Sequence, residues 1–422
     1  MKRPLILTGF LLLGLILKGN AQDSLKLSLP EAEKMFIAGN YELIAQQYQT
    51  EQAKAEIITA RLFDNPEISY ENQLYNRETK KLFQHTLPSG QYNVQVSQLI
   101  KLAGKRNKNI QLANTGVKLA EYAYFDLIRT LRYQLRSNFY KAYYAQQSAL
   151  VYQQQIKSLE QLLAASEQQL KMGNVALKDI IRIKSLLYNL KGEYTSLLNE
   201  IEDAETTLKM MTNIKADTPL SLVAPRADEA DYSLQKQPLM QLLESARANR
   251  ADLQLAQSSI TQAENNLSLQ KAMAIPDVEL SLVYDLQGSA PNHYTGLGIK
   301  VPLPLFNRNQ GEIKKAKIAI TAGNIHLKQR EAALENEVYN SYKSALRTET
   351  LYQGMDRNFG SDFSQLIGEV TKNFRSRNIS LVEFIDFYDS YKESTLQLNQ
   401  LKYERMNAKE EINYVTGSNI FK

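Results

Sequence analysis

The sequence predicts a mainly α-helical, exported chain with a membrane-spanning β-sheet part, built as a tandem duplication. Three observations point there: an apolar run near the start, long tracts of helical and heptad spacing, and two islands of period-two alternation at matching places in the two halves. With 422 residues, 43% hydrophobic content and 24 tyrosines, and a mean hydropathy of −0.39, the chain is too polar for a bundle of membrane helices.

Met1-Lys2-Arg3 is a short positive region, Pro4 to Leu17 an apolar run, and Gly19-Asn20-Ala21 a set of small residues before Gln22. The run is roughly 14 residues against the ~20 of a spanning helix, so residues 1–21 read as a secretory signal peptide. There is no cysteine, which excludes disulfides, thiolate ligands and a lipidated cysteine. The formal charge of +5 falls to +2 (5 − 3) without Lys2, Arg3 and Lys18. The remaining charges are mixed along the chain, so nucleic acid is not an expected partner.

The strand islands come in pairs. Pro66 to Tyr75 sets Ile68, Tyr70 and Leu74 on one side, and Gln91 to Ile100 sets Tyr92, Val94 and Val96 against Asn93, Gln95 and Ser97. Pro276 to Leu286 sets Val278, Leu280, Leu282, Tyr284 and Leu286 against Asp277, Glu279, Ser281 and Asp285, and Thr295 to Val301 completes a second hairpin. Segments of about ten residues with one apolar and one polar face are the signature of an outer-membrane barrel, and they also fit a half-buried soluble hairpin. Pro302 and Pro304 remove ladder donors on one side and end the last strand, before Asn307 to Gly311 turns the chain into a helix.

The helical tracts repeat at an offset of 204: Gly173-Asn174 lines up with Arg377-Asn378, and Tyr194, Leu197, Ala204, Leu208 and Met211 fall on Leu398, Leu401, Ala408, Ile412 and Val415. The seven-residue recurrence specifies coiled-coil packing. The strand exits match too, with Gly104 set opposite Asn307. Domain limits follow: 1–21 signal peptide, 22–213 first repeat with its hairpin at about 66–102, 214–238 linker, 239–417 second repeat with its hairpin at about 276–305, and 418–422 tail. Each repeat reads helix, hairpin, long helix, turn, long helix. An irregular patch at Gln353 to Asp362 interrupts the second.

Four strands cannot close a barrel, since the smallest single-chain ones have about eight, and open edges are not tolerated in hydrocarbon. Several chains must share one barrel. The sequence resembles the TolC-type outer-membrane factor family of efflux channels over essentially its mature length. Asn65 to Glu71 (NPEISYE), Ser97 to Ile110 (SQLIKLAGKRNKNI) and Val301 to Ile313 (VPLPLFNRNQGEI) resemble its heavy-metal, Czc-like branch. Ala103 departs from that branch's glycine pair and leaves Gly104. The resemblance implies a homotrimer with a twelve-stranded barrel in the outer membrane of a Gram-negative cell and an α-helical tube crossing the periplasm. It also implies a periplasmic adaptor protein and an inner-membrane RND-type transporter as partners, with outer-membrane lipid around the barrel.

The same resemblance assigns a closed periplasmic entrance to Glu383 and Asp386, whose spacing of three puts both carboxylates on one helical face. Spacing alone also fits an ordinary solvated face. At the same offset the first repeat has Asp179 and Arg182. The tips, Gly173, Asn174 and Leu177 with Arg377, Asn378 and Leu381, resemble the family's adaptor-contact sites, and Pro302, Pro304 and Gly104 mark the junction of barrel and tube.

His85, His293 and His326 are scattered, and no metal, phosphate or nucleophile motif appears. An enzyme, a resident metal and a cofactor are therefore not expected. The expected function is a passive outer-membrane channel of a tripartite pump exporting heavy-metal cations. A drug-efflux or type I secretion channel is the alternative on the same fold, and a periplasmic coiled-coil scaffold the alternative of another class.

Overall fold

The computed structural model describes residues 24–224, 234, 237–287, 291–355, 359–376 and 378–421. The signal-peptide segment, much of the linker and Arg377 lie outside the described residues. The first repeat runs β1 (Leu25–Leu27), α1 (Leu29–Gly39), α2 (Tyr41–Arg61), β2 (Glu67–Asn72), β3 (Tyr75–Asn76), β4 (Lys81–Leu82), β5 (Tyr92–Ile100), α3 (Lys105–Lys171) and α4 (Leu177–Thr212). After β6 (Leu220–Leu222), the second runs α5 (Leu239–Asn249), α6 (Ala251–Met273), β7 (Val278–Asp285), β8 (Tyr294–Lys300), α7 (Gln310–Gln353), α8 (Phe359–Arg375) and α9 (Leu381–Thr416).

Local chemistry sets these limits. Ser28 and Glu31 close a capping box at the start of α1, and the Asn40 carboxamide accepts from the amides of Glu42 and Leu43 to open α2. The 67 residues of α3 make a rod on the order of 100 Å at 1.5 Å per residue. No described helix is long and apolar enough to cross a membrane.

The duplication reappears in three dimensions. α4 and α9 start 204 residues apart (381 − 177), end 204 apart (416 − 212), and stop on the left-handed residues Asn213 and Gly417. α1 and α5, and α2 and α6, begin 210 apart (239 − 29 and 251 − 41). Even a buried contact is repeated: Asn40 donates to the Met211 carbonyl at 3.1 Å, and Arg250 at the matching cap donates to the Val415 carbonyl at 3.4 Å.

Three clusters hold the rods together. One packs Phe36, Leu135, Phe139 and Leu208 around α1, α3 and α4, a second packs Leu242, Leu334, Val338 and Ile412 around α5, α7 and α9, and a third packs Leu159, Leu187, Phe384 and Tyr388 near the tips. The linker holds one element that sequence reasoning missed, since β6 pairs parallel with β1. Three residues are too few to show a period, and the pair is held by the buried Leu27, Leu220 and Leu222.

Candidate conduit: strand sheet, junction and tips

The two hairpins join into one sheet of order β2-β5-β7-β8. Cross-strand partners share a face, so the register sorts every residue. One face carries Ile68, Val96, Leu282 and Leu297 in one rung and Tyr70, Val94, Tyr284 and Thr295 in the next. The other carries Glu67, Ser97, Ser281 and Gly298, then Glu71, Asn93, Asp285 and Tyr294, with Glu279 opposite Lys300. The apolar face is open to the surroundings, with Ile68 75% and Leu297 77% exposed. On the polar face Glu279 pairs with Lys300 at 3.0 Å, while Glu67 and Glu71 take no ion pair among the described residues. Sequence reasoning did not single out Glu67 and Glu71 as functional; their alternation with Ile68 and Tyr70 was the available signal.

At the junction β8 ends on Lys300, so Pro302 and Pro304 lie in irregular chain beside the exposed Leu303, Leu305 and Phe306. Gly104 is the left-handed N-cap of α3 (φ 67°) and Ala103 before it is left-handed as well (φ 56°). The counterpart of Gly104 is Asn309, the N-cap of α7 at φ 59°, an offset of 205 (309 − 104). The pairing of Gly104 with Asn307 expected from the sequence is therefore displaced by two residues. Asn309 is the pivot because asparagine tolerates the left-handed region and its carboxamide is held by the carbonyl and side-chain oxygen of Gln270. Asp277 also differs from expectation. It precedes β7, and its carboxylate accepts from Lys105 Nζ at 2.6 Å and the Leu102 amide at 2.9 Å, so the second repeat anchors the start of the first repeat's long helix.

At the far end, the Asn174 amide donates to the Gln169 carbonyl and Gly173 takes φ 76°, a Schellman-type stop. Asn378 donates to the Asn373 carbonyl at the same place, 204 residues on (378 − 174). Leu177 and Leu381 are the first residues of α4 and α9. Glu383 and Asp386 are both exposed on the first turns of α9, and Asp179 and Arg182 stand half-buried and exposed on α4. No hydrogen bond or ion pair joins the two pairs within the chain among the described residues.

Glu383 has a second task that sequence reasoning passed over although Ser380-x-x-Glu383 signals it. Its carboxylate accepts from the Ser380 amide at 2.8 Å, completing a capping box. Hydrogen bonds from the Ser380 backbone and then its hydroxyl hold the Glu383 carboxyl below its ordinary range.

Behind this face α9 is tied to the first repeat. Lys392 Nζ reaches Glu193 at 3.0 Å, Tyr152 Oη donates to the same carboxylate at 3.1 Å, and Tyr388 Oη donates to the Gln155 carbonyl at 3.0 Å. Phe374, Phe384 and Tyr388 stack with centroids 4.7 and 5.3 Å apart, and burial pushes the Tyr388 phenol up to about 12. No sequence signal marks this latch, whose charged partners are 199 residues apart.

The model of the outer membrane efflux protein family matches residues 34–213 and 242–353, more than half of the sequence. The chain belongs to that family. It is an outer-membrane protein, and its family and structural neighbours are channels rather than enzymes. Among curated proteins it is similar to the cobalt-zinc-cadmium resistance protein CzcC of Cupriavidus metallidurans, 22% identical over 295 residues, a match spanning 69% of this chain and 66% of that protein. Among solved structures it is similar to the CmeC outer membrane channel of Campylobacter jejuni, with a TM-score of 0.74 at 13% identity over 92% of this chain and 85% of that one. It is also similar to CusC, with a TM-score of 0.73 at 14% identity over 94% and 93%. These likenesses establish the mainly α fold with its strand part.

Proposed function

We propose that three copies of this chain close one twelve-stranded barrel and a helical tube, and that the conduit passively exports heavy-metal cations from periplasm to exterior. The observation that carries this is the four-stranded antiparallel sheet with two free edges. β2 and β8 run in opposite directions, so β8 of one copy meets β2 of the next as an antiparallel pair and the edges vanish on closure.

An apolar-out barrel turns the polar face inward, and each copy then lines the wall with Glu67, Glu71, Glu279 and Asp285 against Lys300. Such a wall favours cations. The likeness to a cobalt-zinc-cadmium resistance protein supports the same substrate class. Glu383 and Asp386 form the acidic rings of the entrance, with Asp179 and Arg182 on the alternate helices. Gly173, Asn174, Leu177, Asn378 and Leu381, with Arg377, receive a periplasmic adaptor that couples the tube to an inner-membrane RND-type transporter.

Deleting the gene and exposing cells to a panel of metals and drugs tests the substrate. Metal hypersensitivity restored by the intact gene is expected. Unchanged metal tolerance with drug hypersensitivity would assign the conduit to drug efflux instead.

A further inference from the structure

The loop between β2 and β5 contains a built element of its own. β3 and β4 pair with Tyr75 opposite Leu82 and Asn76 opposite Lys81. The Asn76 side chain accepts from the amides of Glu78 and Thr79 and donates to the Ser89 carbonyl at 2.9 Å. Thr79 Oγ1 donates to Gln84, and the Phe83 amide donates to the Leu74 carbonyl at 3.2 Å. Gly90 admits no side chain, because a Cβ there would lie 2.5 Å from the Thr86 amide nitrogen.

The surface of this small hairpin is both apolar and basic. Leu74, Tyr75, Leu82 and Phe83 are 62%, 46%, 60% and 55% exposed. Arg77, Lys80 and Lys81 are exposed beside them and take part in no ion pair among the described residues, and Glu78 is the only acid of residues 73–91.

The loop also has a direction. His85 Nδ1 lies 3.3 Å from Tyr70 Oη and 3.1 Å from Asn72 Nδ2, and its ring stands 6.0 Å from that of Tyr92. All three partners belong to the apolar face of the sheet, at the end remote from the helices. The loop therefore leans over the side that the barrel proposed above turns to lipid, next to the apolar face of the sheet.

We propose that the β3–β4 hairpin is a lipid-docking tab. Its four apolar side chains lie in the interface of the outer leaflet, and Arg77, Lys80 and Lys81 bind the phosphates of its headgroups. Apolar surface beside unpaired cations is the combination that anionic interfaces hold. The inference rests on the barrel orientation proposed above. The competing occupant is a neighbouring copy of the chain, because β2 is an edge strand.

The chain has no tryptophan, so single reporters are unambiguous. Leu297→Trp on the apolar face reports barrel insertion and Phe83→Trp reports the hairpin, each in trimers reconstituted with chain-brominated lipid. Quenching at both positions is expected. In a second measurement, R77Q/K80Q/K81Q is expected to lower the lipid A retained per trimer roughly tenfold, with trimer content unchanged. Quenching at Leu297→Trp but not at Phe83→Trp would overturn the tab. Undiminished lipid A retention would overturn the phosphate contact, and loss of trimer in L82S/F83S would assign the hairpin to a neighbouring copy. No quenching at either position would overturn the barrel reading itself.

Discussion

At the residue scale, Glu383 is both a helix cap and a candidate entrance charge, and the two roles are separable. Glutamine can fill the N3 place of a capping box, so Glu383→Gln keeps the cap and removes the charge, whereas Glu383→Ala removes both. Under the proposed entrance, Glu383→Gln with Asp386→Asn lowers cation-over-anion selectivity in planar bilayers while leaving unfolding unchanged; unchanged selectivity would leave Glu383 as a cap alone. The sign of the pH effect follows from its depressed carboxyl. The cap's contribution is full above the ordinary glutamate range and is lost as pH falls through the lower folded value. In the sequence the i, i+3 spacing placed both carboxylates on one helical face, which an ordinary solvated face also shows; only the family resemblance pointed to an entrance. The Lys392–Glu193 contact was not legible there, because nothing in the chain relates positions 199 residues apart until the helices pack.

At the element scale, the strand-to-helix turns are where backbone geometry is tightest. A β-carbon at a left-handed position costs about 1 kcal/mol relative to glycine. Ala103→Gly is therefore expected to raise stability by about 1 kcal/mol, and Gly104→Ala to lower it by about as much, read as shifts of the urea midpoint. The two-proline signal located the end of β8 from sequence because a missing donor acts locally. The pivot at Asn309 escaped it, since asparagine and glycine occupy the two matching caps and no residue identity links them. The latch of Lys392, Glu193 and Tyr152 joins α9 to α3 and α4. The pair is partly solvated, so its removal is worth about 1 kcal/mol. Lys392→Ala is expected to raise channel-opening frequency in planar bilayers roughly fivefold, and an unchanged frequency would remove the latch from the closed state.

At the scale of the whole molecule, the duplication organises everything else. Heptad and period-two patterns made the helix pairs and both hairpins readable, because each pattern follows from which face is buried. How the hairpins join was not readable, since the β5–β7 seam is a tertiary pairing. The same seam leaves β2 and β8 as free edges of opposite direction, and on these the assembly turns. Because the chain has no cysteine, paired cysteines give the most direct measurement: one at Ile68 or Tyr70 on β2 and one at Leu297 or Ile299 on β8, oxidised in outer-membrane fractions and resolved by size. Closure of three copies predicts a ladder of one, two and three chains that stops there. A product confined to single chains, or one growing past three, would contradict it.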